Sequence, residues 1–210
     1  LRYNHNSKYC YPNTNVLINK LNIRDEEQLE KAELRITALR MYQLETTHPL
    51  AEETWDLNYL KAIHGYIFQD IYAFAGEIRE EQIAKGGFQF ASPLYIEEQA
   101  KELFNQLKAE HYLKGQNKDK IIHRLAYYYS EINVLHPFRE GNGRTQRTFL
   151  HSLAAHNAYK LDWSLANKDT LLKASIESTH NLTPITEIIH MCLSEKELHI
   201  DFEDDGLELE

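Results

Sequence analysis

Apolar and polar positions alternate along most of this chain with the period of a helix, and the interruptions mark the boundaries of the elements. From Asp25, which can cap, Glu26 and Glu27 suit a first turn. Leu29, Ala32, Leu34, Ile36, Leu39, Met41 and Leu44 follow at mixed helical spacings and predict a helix ending near Thr46. Thr54-Trp55-Asp56 opens a second helix, with Leu57, Leu60, Ile63, His64 and Ile67 at three- and four-residue intervals, ending before Tyr72 and a turn at Gly76. Residues 93–113 read as a third, with Ile96, Ala100, Leu103, Phe104 and Leu107 inward and Gly115 as its stop. Asp119 is the expected cap of a fourth, whose stripe Ile122, Leu125, Ala126, Tyr129, Ile132 and Leu135 leads directly to His136. Phe149, Leu150, Leu153, Ala154 and Ala158 continue a buried fifth helix. After a break near Tyr159, two shorter helices are expected over 169–181 and 184–195, with Pro184 tolerated in a first turn.

One segment departs from the helical period. In Ile83-Ala84-Lys85-Gly86-Gly87-Phe88-Gln89-Phe90, Gly-Gly between alternating apolar residues signals a two-residue β-hairpin. A small exposed hairpin has free edges, to which an extended peptide can pair through main-chain hydrogen bonds. A plain connecting hairpin is the alternative. Residues 3–15, with Tyr9, Tyr11 and Pro12, read as an extended arm packed on the domain. Beyond Leu198, Asp and Glu dominate, which predicts a solvated tail, a linker or the start of a further module. The expected organisation is one all-α domain over 1–197, with the arm and the small hairpin, followed by an acidic segment over 198–210. No internal repeat is visible.

Composition narrows the function classes. A chain of 210 residues with 42% hydrophobic content can bury a sizeable core. No run approaches the roughly twenty apolar residues of a membrane helix, and no charged start precedes an apolar segment, so a soluble chain without a membrane partner is expected. The net charge of -9 disfavours nonspecific nucleic-acid binding. Cys10 and Cys192 lack paired spacing, which argues against a metal knuckle and for reduced thiols in a cytosolic compartment. His64, on or beside an apolar face, reads as a core histidine.

The chemistry concentrates in His136-Pro137-Phe138-Arg139-Glu140-Gly141-Asn142-Gly143-Arg144-Thr145-Gln146-Arg147. Pro137 marks His136 as the end of the preceding helix. Gly141 and Gly143 flank Asn142 and permit consecutive amides to converge on an anion. A helix then starts, with Arg144 and Arg147 three residues apart on one face and His151 four further along. First-turn amides, the helix dipole and arginine forks suit polyphosphate. Glu140 beside such a cradle fits a magnesium ligand, since that ion takes one or two carboxylates plus substrate phosphates.

This run resembles throughout the Fic motif, H-P-F-x-(D/E)-G-N-G-R-x-x-R, of proteins that transfer AMP from ATP to target hydroxyls. Ile71-Tyr72-Ala73-Phe74-Ala75-Gly76-Glu77-Ile78-Arg79 resembles the family's segment before its target-binding flap, and the likeness covers most of residues 9 to 195. The resemblance implies a Fic fold, an all-α helical bundle with a hairpin flap over the active site. Lys85, Gly86, Gly87 and Phe88 would border the nucleotide and hold the target backbone. His136 would act as the base; Arg139, Glu140, Gly141, Asn142, Gly143, Arg144 and Arg147 would bind ATP, with Mg2+ on Glu140 and Arg147 on the γ-phosphate. Phe138 reads as a buried anchor, and Thr145 and Gln146 as helix positions without an assigned role.

Many family members carry an inhibitory helix, (S/T)-x-x-x-E-(G/N). The nearest stretch, Thr183-Pro184-Ile185-Thr186-Glu187-Ile188, ends in Ile and contains Pro, so it reads as an ordinary helix start. The resemblance therefore implies a small separate antitoxin protein that supplies a glutamate in trans. It also implies a resident toxin of the bacterial cytoplasm or an effector delivered to host cells by type IV secretion. Two alternatives stay open: a peptide-binding module without catalysis, and transfer of UMP, phosphocholine or phosphate, or removal of AMP. A metal hydrolase is disfavoured, as the eleven histidines show no close ligand spacing.

Overall fold

A computed structural model describes residues 7–50, 52–85 and 87–195. The acidic segment over 198–210, residues 3–6 of the arm and Gly86 lie outside the described residues.

Helix α1 (Glu26–Thr47) begins where expected, with the Asp25 carboxylate accepting from the Gln28 amide, and ends at His48 in the left-handed region. Its apolar residues are split between two faces, with Leu29 buried and Ile36, Met41 and Leu44 packed partly buried against the core. Leu34 and Leu39 are 65% and 58% exposed, whereas Leu29, Glu33 and Thr37 face inward, so α1 presents polar groups to the rest of the molecule. Helix α2 (Leu57–Phe68) starts at Asp56, which accepts from the Tyr59 amide, and buries Leu60, Ile63, His64 and Ile67 as its spacing predicts. The Gly-Gly segment forms the hairpin: β1 (Ala84–Lys85) pairs antiparallel with β2 (Phe88–Gln89) in the register Lys85↔Phe88.

The third helical segment is shorter than predicted. A single 3-10 turn over Pro93–Tyr95 leads into α3 (Ile96–Ala109), and left-handed backbone at His111, Tyr112 and Leu113 ends it well before Gly115. The cap of α4 (Lys118–Leu135) is Asn117, which accepts from the Lys120 amide. Asp119 lies inside the first turn, where a carboxylate still favours the dipole. Helix α5 (Asn142–His156) follows the motif loop.

After α5, β3 (Tyr159–Leu161), α6 (Lys168–Glu177) and α7 (Thr183–Cys192) precede β4 (Leu193–Glu195). Residues 193–195, expected to be helical, instead pair antiparallel with β3, with Leu161 opposite Leu193. Both leucines are buried, and their burial favours strand pairing over one more helical turn. Helix α5 is central, packed by α2, α4 and β3, with Phe149, Leu150 and Leu153 fully buried. Each such side chain contributes about 1.5–3 kcal/mol, which holds the motif helix rigid.

The arm packs on the domain from residue 7 onward. Cys10 bridges Leu17, Tyr11 and Val16 are buried, and Tyr9 meets Phe74 edge-on at 5.3 Å. Both cysteines are free and buried. No helix among the described residues is long and apolar enough to cross a membrane.

Candidate active site

The site is built at the junction of α4 and α5. His136 ends α4 in the left-handed region (φ 43°), and its amide donates to the Ile132 carbonyl at 3.0 Å. The Asn133 carbonyl accepts from Nδ1 at 3.1 Å, which leaves Nε2 as the acceptor. Phe90, just past β2, stacks on the imidazole at 3.7 Å. Burial pushes the His136 pKa down to about 3; the Asn133 bond opposes this, and the charges of Arg79 and Lys85 add to it. His136 is therefore neutral at any physiological pH.

The loop that follows is stapled by Asn142. Its Oδ1 accepts from the Phe138 amide at 2.8 Å, and its Nδ2 donates to the Phe138 carbonyl at 2.7 Å. Gly141 takes φ 79°, and a Cβ there would fall 2.1 Å from Phe68, so both backbone and space require glycine. Phe138 is buried and stacks on His64 at 3.9 Å. His64 accepts from the Gly76 amide at Nδ1 (2.8 Å), so its Nε2–H donates to the Glu140 carbonyl at 3.0 Å. Burial drives its pKa to about 3, against the Glu140 bond and with a smaller contribution from Arg144. His64 is thus the core histidine expected, and it anchors the backbone of Glu140. Thr145 and Gln146, without assigned roles, secure the helix: Thr145 Oγ1 donates to the Gly141 carbonyl and Gln146 Nε2 to that of Tyr129.

A cavity of about 500 Å³ opens over this junction. Glu140, Asn142, Gly143 and Arg147 line it together with His136, and Lys85 and Phe88 of the hairpin border it. A Cβ on Gly143 would lie 3.1 Å from the Arg147 guanidinium, so that side chain folds back over the start of α5. Trp163 Nε1–H donates to the Arg147 carbonyl at 3.1 Å. A cavity of about 630 Å³ between α2 and α3 is larger but holds no motif residue.

Two of the three motif arginines do not line the cavity of His136. Arg144 donates to the Glu33 carboxylate and, at 3.1 Å, to Thr37 Oγ1, with its guanidinium 4.8 Å from the Phe68 ring. The polar face of α1 takes it. Arg139 is 2% exposed, with Nη2 3.9 Å from Cys10 Sγ and its guanidinium 5.6 Å from the Tyr9 ring, so the N-terminal arm covers it. Gly87 is an exposed turn residue (φ 85°) that does not line the cavity. Nor does Gly141 line it, since its contribution is the turn itself. His151 bonds the Leu161 carbonyl at 2.9 Å and also lies off the cavity.

The far half of the cavity was not anticipated. It is walled by Tyr129 and Asn133 of α4, by Trp163, and by Leu171, Leu172, Ser175, Ile176 and Thr179 of and beyond α6. Tyr129 and Asn133 stand seven and three residues before His136, on the same helical face, so that spacing could have revealed them. Nothing in the local pattern indicates that α6 folds back over the motif.

The Fic/DOC family model matches residues 54–154. The probable protein adenylyltransferase Fic of Escherichia coli strain K12 is 40% identical over 188 residues, covering 89% of this chain and 92% of that protein. Protein adenylyltransferase VbhT of Bartonella schoenbuchensis is 38% identical over 173 residues, covering 82% of this chain and 36% of that protein. Among solved structures, the N-terminal Fic domain of a VirB-translocated Bep effector from Bartonella quintana, with bound ADP, superposes with a TM-score of 0.84. It is 27% identical, over 90% of this chain and 95% of that one. With the helical architecture, the hairpin and the motif loop matching over that extent, the chain belongs to the Fic/DOC family.

Proposed function

We propose that this chain is a protein adenylyltransferase, moving the adenylyl group of ATP to a Tyr, Thr or Ser hydroxyl of a target protein with release of pyrophosphate. The observation that carries this reading is a neutral His136, with Nε2 as acceptor, in one cavity with Arg147 and the first turn of α5. Nε2 accepts the proton of the target hydroxyl while its oxygen attacks the α-phosphorus. The bond from that phosphorus to the α,β-bridging oxygen breaks, and pyrophosphate leaves in line. The α5 amides, the helix dipole and Asn142 stabilise the charge that develops, and Arg147 holds the γ-phosphate. The aromatic and aliphatic far wall suits a nucleobase, with Ser175 and Thr179 as polar contacts.

Glu140 fits a Mg2+ ligand. Its carboxylate lines the cavity, is 26% exposed, and is fixed by the Gly141 amide at 2.9 Å. Magnesium takes one or two carboxylates plus substrate phosphates, so a single carboxylate is enough for the protein's share of the site. The ion would supply charge neutralisation on the phosphates. The exposed strands β1 and β2 suit pairing with a target segment, whose hydroxyl would then stand over His136.

Control is by a small separate protein that presents a glutamate to Arg147. In support, Glu187 of α7 lines a different cavity, with Asp119 and His123, rather than the one containing Arg147. The isolated chain should then be active, and Glu187→Gly should leave its rate unchanged. The target decides the setting, a bacterial cytoplasm or a host cell reached by type IV secretion.

The test is incorporation from α-labelled against γ-labelled ATP into bacterial and eukaryotic extracts, with His136→Ala as control and mass spectrometry for the AMP adduct. Label from the α position that disappears in His136→Ala, with ATP binding retained, is expected. Label only from the γ position would mean phosphate transfer. Bound nucleotide with no label in any extract would leave a peptide-binding module.

A further inference from the structure

The segment ending in Arg79 has no task in the reaction as described, yet its last side chain donates four hydrogen bonds beside the base. Arg79 is 1% exposed. Nε donates to the His136 carbonyl at 2.8 Å and Nη1 to the Glu81 carbonyl at 2.8 Å. Nη2 donates to the Ala91 carbonyl at 2.5 Å and to the Leu135 carbonyl at 3.4 Å. Two of these acceptors are terminal carbonyls of α4, which have no partner within the helix. The other two lie on opposite stems of the hairpin, one before β1 and one after β2. Among the described residues no carboxylate pairs with this cation; helix and stem carbonyls take its charge instead.

The backbone repeats the same connection. The Arg79 amide donates to the Pro137 carbonyl at 2.9 Å, and the Ala91 amide donates to that of Val134 at 3.0 Å. Phe90, between the Ala91 anchor and β2, is the ring stacked on His136. The hairpin is thus tied to the end of α4 at both stems, with one planar fork reaching both and the peptide unit of His136.

We propose that Arg79 is a positioning residue, setting the height and angle of the hairpin rail over the His136 imidazole by bonding both stems and the α4 terminus at once. The proposal rests on the reading of His136 as base and the hairpin as rail. Lysine cannot replace it, because a point charge on a flexible stem lacks the fixed fork. Besides Arg79, the charged and titratable groups around the imidazole are Lys85 on β1, Tyr129 on α4, Glu140 in the loop, Arg147 on α5, and Lys168 and Asp169 at the start of α6.

The test needs no target protein and therefore fails independently of the adenylyl-transfer reading. In the wild-type chain, hydrogen exchange resolved by NMR should show the Arg79 and Ala91 amides opening together, within about threefold in protection. A tenfold or larger difference would overturn the clamp. In Arg79→Lys, exchange across 83–91 should accelerate at least tenfold while α2 and α5 keep their protection and ADP affinity stays within twofold. In Arg79→Gln, NMR titration of the His136 ring, assigned by its loss in His136→Ala, should move upward by about half a pH unit or more. Uniform acceleration throughout the chain would reduce Arg79 to a structural cap. Unchanged hairpin exchange in a folded Arg79→Lys would exclude positioning.

Discussion

Arg144 is ion-paired with Glu33 of α1, and this contact turns one of two neighbouring helix arginines away from the cavity that His136 lines. The Glu33 carboxylate also accepts from the Tyr72 hydroxyl, and both charged side chains are largely buried, at 12% and 19% exposure. Burial, with the Glu33 charge next, raises the Tyr72 pKa far above its usual value, so the phenol remains a donor. Arg144 Nη2 also lies 3.9 Å from the Glu140 carboxylate, so removing the Glu33 charge leaves a largely buried guanidinium with that more distant partner. Glu33→Gln should therefore cost about 3 kcal/mol in urea denaturation. A loss below about 1 kcal/mol would mean that the pair behaves like a solvent-exposed one.

Gly141→Ala should destabilise the chain by more than about 2 kcal/mol, because the added methyl meets Phe68 in a backbone region unsuited to side chains. Combining it with Phe68→Ala removes the collision but not the φ cost. If the strain account holds, the Gly141→Ala change should cost only about 1 kcal/mol when made in the Phe68→Ala background. An equal cost in both backgrounds would contradict it.

Arg147 faces the cavity, and burial lowers its pKa without removing its charge at physiological pH. Arg147→Ala should weaken ATP binding about ten- to a hundredfold, as expected for a lost charge-assisted contact, while AMP affinity changes little. Calorimetric titration with both nucleotides measures the difference. Equal losses for ATP and AMP would remove Arg147 from the γ-phosphate.

His64 and His136 both titrate near 3 in the folded chain against an ordinary value of 6.5. Below pH 6.5 the unfolded chain binds more protons at these positions than the folded one, so stability is lost as pH falls from 6.5 toward 3. The slope approaches about 1.4 kcal/mol per pH unit for each histidine. Denaturation curves between pH 4.5 and 7.5 should show the decline, and His64→Gln should reduce its slope by about half. A flat profile would mean that neither ring is held neutral by burial.

The helical elements and the motif loop are legible because their causes are local. Asp25 and Asp56 cap helices a few residues away, Pro137 ends a helix at its neighbour, and Gly141 occupies a backbone state that favours glycine. The hairpin follows from Gly-Gly in the same way. The limits appear where local signals compete, as at Asn117 against Asp119, or where a distant strand is needed, as for β4.

The sequence by itself determined that His136, Glu140, Asn142, Gly143 and Arg147 stand within one loop and the first two turns of α5, because their proximity is covalent. Only the tertiary structure decided which guanidinium faces the cavity. Arg144 and Arg147 are near neighbours on one helix, but a residue 111 positions away pairs with the first, and the arm covers Arg139. Helical spacing places a side chain in a sector of the helix surface. Whether that sector meets a carboxylate, an aromatic ring or an open cavity depends on which distant segment packs against it.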